Sequence, residues 1–109
     1  MLLVSPKNFV ADEPINLAEK KHFALNDIDN KKLCIQHNEL IEYLKKCNVE
    51  FEILEAKKDF PEQTFIRDTA FIIDDKVFIC KMKEHVRERE TELVKEYFQS
   101  NEYKKYNIV

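Results

Sequence analysis

Apolar residues recur along this chain in two rhythms, and the change from one to the other lays out its elements. Met1-Leu2-Leu3-Val4 is a short apolar run closed by Ser5-Pro6, the pattern of a buried strand. From Lys7 to about Asn30 no period holds over a stretch rich in Asn, Asp, Glu and Pro, which predicts a long irregular segment. Leu33, His37, Leu40, Ile41, Leu44 and Cys47 then return at steps of three and four, one stripe of a helix from Lys31 to Cys47. Asp29 or Asn30 can cap its first turn, and Lys45 and Lys46 suit the negative end of its dipole. Asn48, a residue that tolerates left-handed backbone, ends it.

Period two follows. Val49, Phe51 and Ile53 alternate with Glu50 and Glu52, predicting a strand with one buried face up to Leu54. Glu55 to Thr64 is polar, contains Pro61 and reads as a loop. Phe65-Ile66, Ala70-Phe71-Ile72-Ile73 and Val77-Phe78-Ile79-Cys80 are strand-like, and the last two flank Asp74-Asp75-Lys76 as a hairpin. Val86, Leu93, Val94, Tyr97 and Phe98 mark a second amphipathic helix from Arg87 to Gln99, with Glu88, Glu90 and Glu92 near its start. Asn107-Ile108-Val109 reads as the start of a further strand. Strands and helices thus mix within one α/β (α+β) domain covering residues 1–109, with no internal boundary.

Composition narrows what such a domain can do. The chain has 109 residues and no glycine, where about 7% is usual, so no P-loop, dinucleotide fingerprint or glycine-hinged lid can be built. Without glycine, Asp74 and Asp75 are the residues best able to make the tight hairpin turn. Basic residues number 18 and acidic residues 21, interspersed along the chain, which leaves no field to draw in a nucleic-acid backbone. The N-terminal apolar run is too short for a signal peptide or a membrane span, so a cytoplasmic chain is expected. Cys34, Cys47 and Cys80 are odd in number and form no CxxC pair, which predicts reduced thiols acting as small core residues. His22, His37 and His85 are isolated, and neither a metal site nor a cofactor is expected.

Two segments depart from scaffold chemistry. Pro61-Glu62-Gln63-Thr64-Phe65-Ile66-Arg67-Asp68-Thr69-Ala70 places carboxylates and an arginine in or beside apolar strands, where charge must be paired. Either Arg67 and Asp68 pair with each other across a solvated loop, or a carboxylate here awaits a planar cation such as a guanidinium. Arg87-Glu88-Arg89-Glu90-Thr91 sets cations at a helix start, against the dipole. A salt-bridged solvated turn is the plain reading, and a nearby anion, from a ligand or a neighbouring acid, is the functional one.

The run F-I-R-D at Phe65 to Asp68, the apolar hairpin after it, and R-E-R-E-T at Arg87 to Thr91 resemble the first half of the guanidino-group-modifying superfamily. Its members include the arginine deiminases, amidinotransferases and dimethylarginine dimethylaminohydrolases. The resemblance spans essentially the whole chain and is densest from Phe60 to Thr91. Ser5-Pro6-Lys7-Asn8-Phe9 and Ile15-Asn16 add a fainter likeness to a loop of amidinotransferase-like members, although Leu17-Ala18 stands where a Pro-aromatic pair is expected.

The resemblance implies a partial α/β propeller, pentein-like, of ββαβ-type units, with one and a half to two units present. It implies that Asp68 holds a substrate guanidinium, that the Phe65 ring lies against it, that Glu62 adds an acidic contact, and that Arg87 grips a substrate carboxylate. Arg67 is the choice of arginine deiminases, where dimethylarginine enzymes carry an acid. Family members attack the guanidinium carbon with a cysteine thiolate, using a histidine as acid and base and an acid that orients it. None of Cys34, Cys47, Cys80, His37 or His85 stands in such a context, so the expectation is a truncated, substrate-binding N-terminal part. It would be inactive alone, would take an arginine-like ligand, and would be completed by a second polypeptide segment or by self-association. The alternative is a degenerate or standalone protein-interaction domain.

Overall fold

The computed structural model describes residues 1–10, 16–25, 28–103 and 105–109, and the chain divides into two compact units, Met1–Thr64 and Phe65–Val109.

In the first unit, β1 (Leu2–Val4) pairs in parallel with β2 (Glu52–Leu54), Leu3 opposite Ile53. Parallel neighbours need a long crossover, and it contains α1 (Leu17–Leu25) and α2 (Asn30–Lys46). The stretch that shows no period is therefore partly helical. Asn16 Oδ1 accepts from the Glu19 backbone N–H at 2.9 Å, while Asn16 Nδ2 donates to Glu19 Oε1 at 2.9 Å, an arrangement akin to a capping box. A 3-10 turn at Pro6–Asn8, capped by the Ser5 side chain, comes before it. Ile15, half of the fainter loop likeness, lies outside the described residues.

α2 forms where the stripe puts it. Asp29 caps it by accepting from Lys32 N–H. Asn48 turns left-handed at φ 54°, with Asn48 N–H donating to the Lys45 carbonyl and Val49 N–H to the Leu44 carbonyl, a Schellman closure. The stripe itself rotates slightly from the expected one. Leu44 is buried and Leu33, Cys34, His37 and Ile41 are half-buried, whereas Leu40 and Cys47 face outward. Cys47 is an exposed free thiol at the helix end and no core residue. Asn30 Nδ2 donates to the Pro6 and Phe9 carbonyls, tying the helix start to the first turn. Val4, Phe9 and Phe60 are also buried in this unit. The strand expected from Val49 shortens to three residues, and Val49 and Ile53 are exposed. Its pairing with β1 outweighs its alternation.

Burial lowers the pKa of His37 from its ordinary value of 6.5, and its Nε2 has no hydrogen-bond partner among the described residues. A depressed imidazole pKa means that protonation favours the unfolded chain. Stability is complete above about pH 6.5 and falls as pH drops towards the lowered value. In urea melts at pH 7.5 and 5.5, the loss on acidification should be smaller for His37→Leu than for the parent; an equal loss in both would refute this.

In the second unit, β3 (Ala70–Ile73) and β4 (Lys76–Ile79) form the expected hairpin, Ile73 opposite Lys76, with Asp74 left-handed at φ 54°. β5 (Asn107–Ile108) adds to β4 in parallel, giving the order β3-β4-β5. The Asp75 side chain and carbonyl accept from Asn107, so the hairpin turn also anchors the last strand. α3 (Glu90–Gln99) buries Glu90, Val94 and Phe98, and Val77 is fully enclosed. The helix starts three residues later than expected, after a 3-10 turn at His85–Arg87. Phe65-Ile66 is not a strand: Gln63–Asp68 is a 3-10 segment kinked at Phe65.

Candidate functional site

The kinked segment presents Asp68. Thr69, 1% exposed, closes the turn through its backbone N–H and its hydroxyl, both donating to the Ile66 carbonyl at 3.0 and 2.6 Å. Ile66 is buried beneath it, and Asp68 is left facing outward. The side chain of Asp68 is 47% exposed.

Arg87 reaches this segment from the His85–Arg87 turn, whose backbone is set by Arg87 N–H donating to the Glu84 carbonyl. All three of its guanidinium nitrogens donate to the chain itself. Nη1 meets Asp68 Oδ2 at 2.8 Å, Nη2 meets the Phe65 carbonyl at 2.9 Å and Glu90 Oε2 at 3.0 Å, and Nε meets Glu90 Oε2 at 3.1 Å. Arg87 and Glu90 side chains are 4% and 2% exposed. One cation thus joins two carboxylates, one buried and one reaching solvent, through charge-assisted hydrogen bonds. Burial works against the charge on Arg87, and hydrogen bonding and attraction from Asp68 and Glu90 outweigh it, holding its pKa above the ordinary value. Burial likewise raises Glu90 above the usual carboxylate range, against the opposing pull of Arg87. Glu90 Oε1 has no hydrogen-bond partner among the described residues.

The structure therefore brings together Phe65, Asp68 and Arg87, three of the four residues singled out in the sequence. The fourth, Glu62, is a buried residue of the first unit, 1% exposed. Next to it Gln63 accepts from Lys57 N–H and donates to the Glu55 carbonyl, which fastens the preceding loop. The suspected Arg67–Asp68 pair is loose, 3.9 Å apart with Arg67 92% exposed, and Arg87 is the stronger partner. Of the two readings of the charges at the helix start, a solvated salt-bridged turn or arginines beside an anion, the structure puts a neighbouring acid, Glu90, on Arg87. Its signal is its spacing: Glu90, Val94 and Phe98 fall on one helical face, three residues after an arginine.

Comparison with known proteins decides the family. Residues 5–109 match the family described as N,N dimethylarginine dimethylhydrolase, eukaryotic. The chain belongs to that family. The uncharacterised protein YkgA of Bacillus subtilis is 35% identical over 100 residues, 92% of this chain and 35% of YkgA. An uncharacterised Caenorhabditis elegans protein is 26% identical, over 95% of this chain and 36% of its own length. The chain thus spans about a third of the curated relatives it matches. Among solved structures, AgrE in complex with L-arginine superposes with a TM-score of 0.80 at 20% identity, over 99% of this chain and 15% of AgrE. The N-terminal domain of ArgZ, a cyanobacterial arginine dihydrolase, also gives 0.80 at 17% identity, with 99% and 37% covered. A dimethylarginine dimethylaminohydrolase adduct gives 0.69 at 21% identity, with 99% and 39% covered. The mixed helix and strand fold of this dimethylarginine hydrolase family member is therefore that of guanidino-modifying enzymes. Among the described residues no cluster of His, Cys, Asp or Glu could hold a metal ion, and no helix is long and apolar enough to cross a membrane.

Proposed function

We propose that this chain is the guanidino-binding part of an enzyme acting on arginine or a methylated arginine, by hydrolysis or amidino transfer. The observation that carries the reading is the state of Asp68. In a member of the dimethylarginine hydrolase family, one of its oxygens is fixed by Arg87 and its side chain is half exposed. A carboxylate held in this way offers a guanidinium a charge-assisted bond without having to be ordered first. The ring of Phe65, 39% exposed, lies three residues away in sequence and provides a face for a planar cation. Glu62 joins the proposal as an acidic contact on the resemblance alone. The thiolate and histidine of the reaction are assigned to polypeptide outside these residues, and the role of this chain is to bind and orient.

Calorimetry with arginine, methylated arginine and agmatine tests the reading. Binding should weaken about 10- to 100-fold in Asp68→Ala, the worth of one or two charged hydrogen bonds. No heat from any of the three, with the remaining polypeptide supplied as well, would overturn it.

A completing segment or a second copy is proposed as partner. Phe71, Ile72 and Ile73 of β3, a terminal strand of the three-stranded sheet, are about half exposed, and Phe71 stacks on Phe78 at 4.9 Å. The same feature favours the second reading, a protein-interaction domain without catalysis. Sedimentation of the chain alone should show self-association, and a stable monomer with a high melting temperature would count against an incomplete propeller.

A further inference from the structure

We propose that the outward face of α2 is a docking surface for a second copy of this chain, which packs on it antiparallel about a two-fold axis beside Ile35. The surface is separate from the residues of the guanidino reading and does not rest on it.

α2 buries one side only. Leu33, His37 and Leu44 turn inward, and at about 100° per residue the opposite side carries Lys31, Ile35, Glu39 and Glu42, at steps of four, four and three. All four are exposed, Ile35 by 51%. Ile35, Glu39 and Glu42 border a shallow groove that runs on to Tyr43, itself 66% exposed. A single exposed isoleucine is ordinary. Its place between two blocks of opposite charge is what points to a partner.

Charge chooses the occupant. Lys31 and Lys32 stand on the N-terminal side of Ile35, Glu39 and Glu42 on its C-terminal side. Within one helix they are out of reach of each other, because Lys32 and Glu39 lie about 10 Å apart along the axis and pairs that meet on a helix are three or four residues apart. Glu42 has Lys45 at 2.8 Å, whereas Lys31, Lys32 and Glu39 form no ion pair among the described residues.

A second α2 laid antiparallel reverses this order. Ile35 meets Ile35, Glu39 comes opposite Lys32, Glu42 comes opposite Lys31, and the two-fold axis makes each ion pair twice. Lys32 and Glu39 share one flank of Ile35, Lys31 and Glu42 the other, so the ion pairs enclose an apolar centre. A parallel copy would set Glu39 on Glu39 and lysine on lysine, with the helix dipoles opposed to the pairing as well. Exposed ion pairs are individually weak, so they fix orientation and partner, and burial of Ile35 adds the apolar part. Seventeen residues give a helix about 25 Å long, and one such contact belongs to the small, reversible class of interface.

Sedimentation of the chain from about 10 μM to about 1 mM tests the proposal. Dimerisation is expected, and it should weaken about tenfold in Ile35→Lys and on raising salt from about 0.05 M to about 0.5 M. Two double variants, Lys31→Glu with Lys32→Glu and Glu39→Lys with Glu42→Lys, should each dimerise at least about tenfold more weakly, because acid then faces acid or base faces base. Their equimolar mixture should restore association as a heterodimer. All four changes in one chain should dimerise like the parent, with the same far-ultraviolet circular dichroism, which separates the loss from a folding defect. A parent that stays monomeric throughout, or a mixture that associates no better than its parts, would overturn the proposal. So would a dimer that the charge variants leave unchanged, which would assign association to another face, such as that of β3.

Discussion

Arg87→Met is expected to destabilise the fold by about 3–5 kcal/mol, the usual consequence of removing one partner from a buried ion pair. Methionine fills much of the volume and leaves the Phe65 carbonyl and Glu90 Oε2 without the donor they now share. Glu90 is the more serious loss, since it is 2% exposed, its Oε1 already has no hydrogen-bond partner among the described residues, and Arg87 is what favours its charged form. Against a total stability of about 5–15 kcal/mol for a domain, such a change is a large fraction. Denaturant melts check it directly. The double variant Arg87→Met, Glu90→Met should regain much of the loss, because an apolar pair of similar volume leaves no buried charge unmatched. A single variant that melts within about 1 kcal/mol of the parent would mean that water reaches the cluster.

Phe98→Ala is expected to cost about 3–5 kcal/mol. Phe98 is buried on α3, with ring centroids of Tyr97, Tyr103 and Tyr106 at 5.2, 6.4 and 5.8 Å, edge-on in each case. Deleting the ring removes its transfer free energy and its edge contacts and leaves a void beside residues that cannot fully collapse. Near-ultraviolet circular dichroism should lose tyrosine signal along with the drop in melting temperature. An unchanged spectrum and midpoint would show that the aromatic cluster does not hold the C-terminal part of this unit together.

Residues that repeat a pattern were legible in the sequence, and residues that act through one partner were not. The stripe of α2, its Asp29 cap and Asn48 stop, and the Asp74 turn all follow from local chemistry that spacing exposes. α1 escaped because it has no continuous stripe; its clearest signal is the reciprocal Asn16–Glu19 hydrogen bonding. Phe65-Ile66 looked like a strand because both residues are apolar, yet the hydroxyl of Thr69 closes a 3-10 turn there. At the site, the resemblance picked out Asp68 and Arg87 but not their direct bond, nor Glu90 as the second acid. Charged residues three apart at a helix start usually lie in water. Only the burial of Val94 and Phe98 on the same face brings Glu90 inside.

Asn48 and Asp74 are the described residues that place a side chain in left-handed backbone, each at φ 54°. Their strain is local, and small for Asn and Asp compared with other residues. The wider consequence concerns the unfolded chain. Glycine surrenders more conformational freedom on folding than any other residue, and none of the 109 residues is glycine. The denatured ensemble is correspondingly narrower, so less disorder is lost on reaching the native state. Putting glycine at 48 or 74 would relax two turns while widening that ensemble, and the two effects oppose each other.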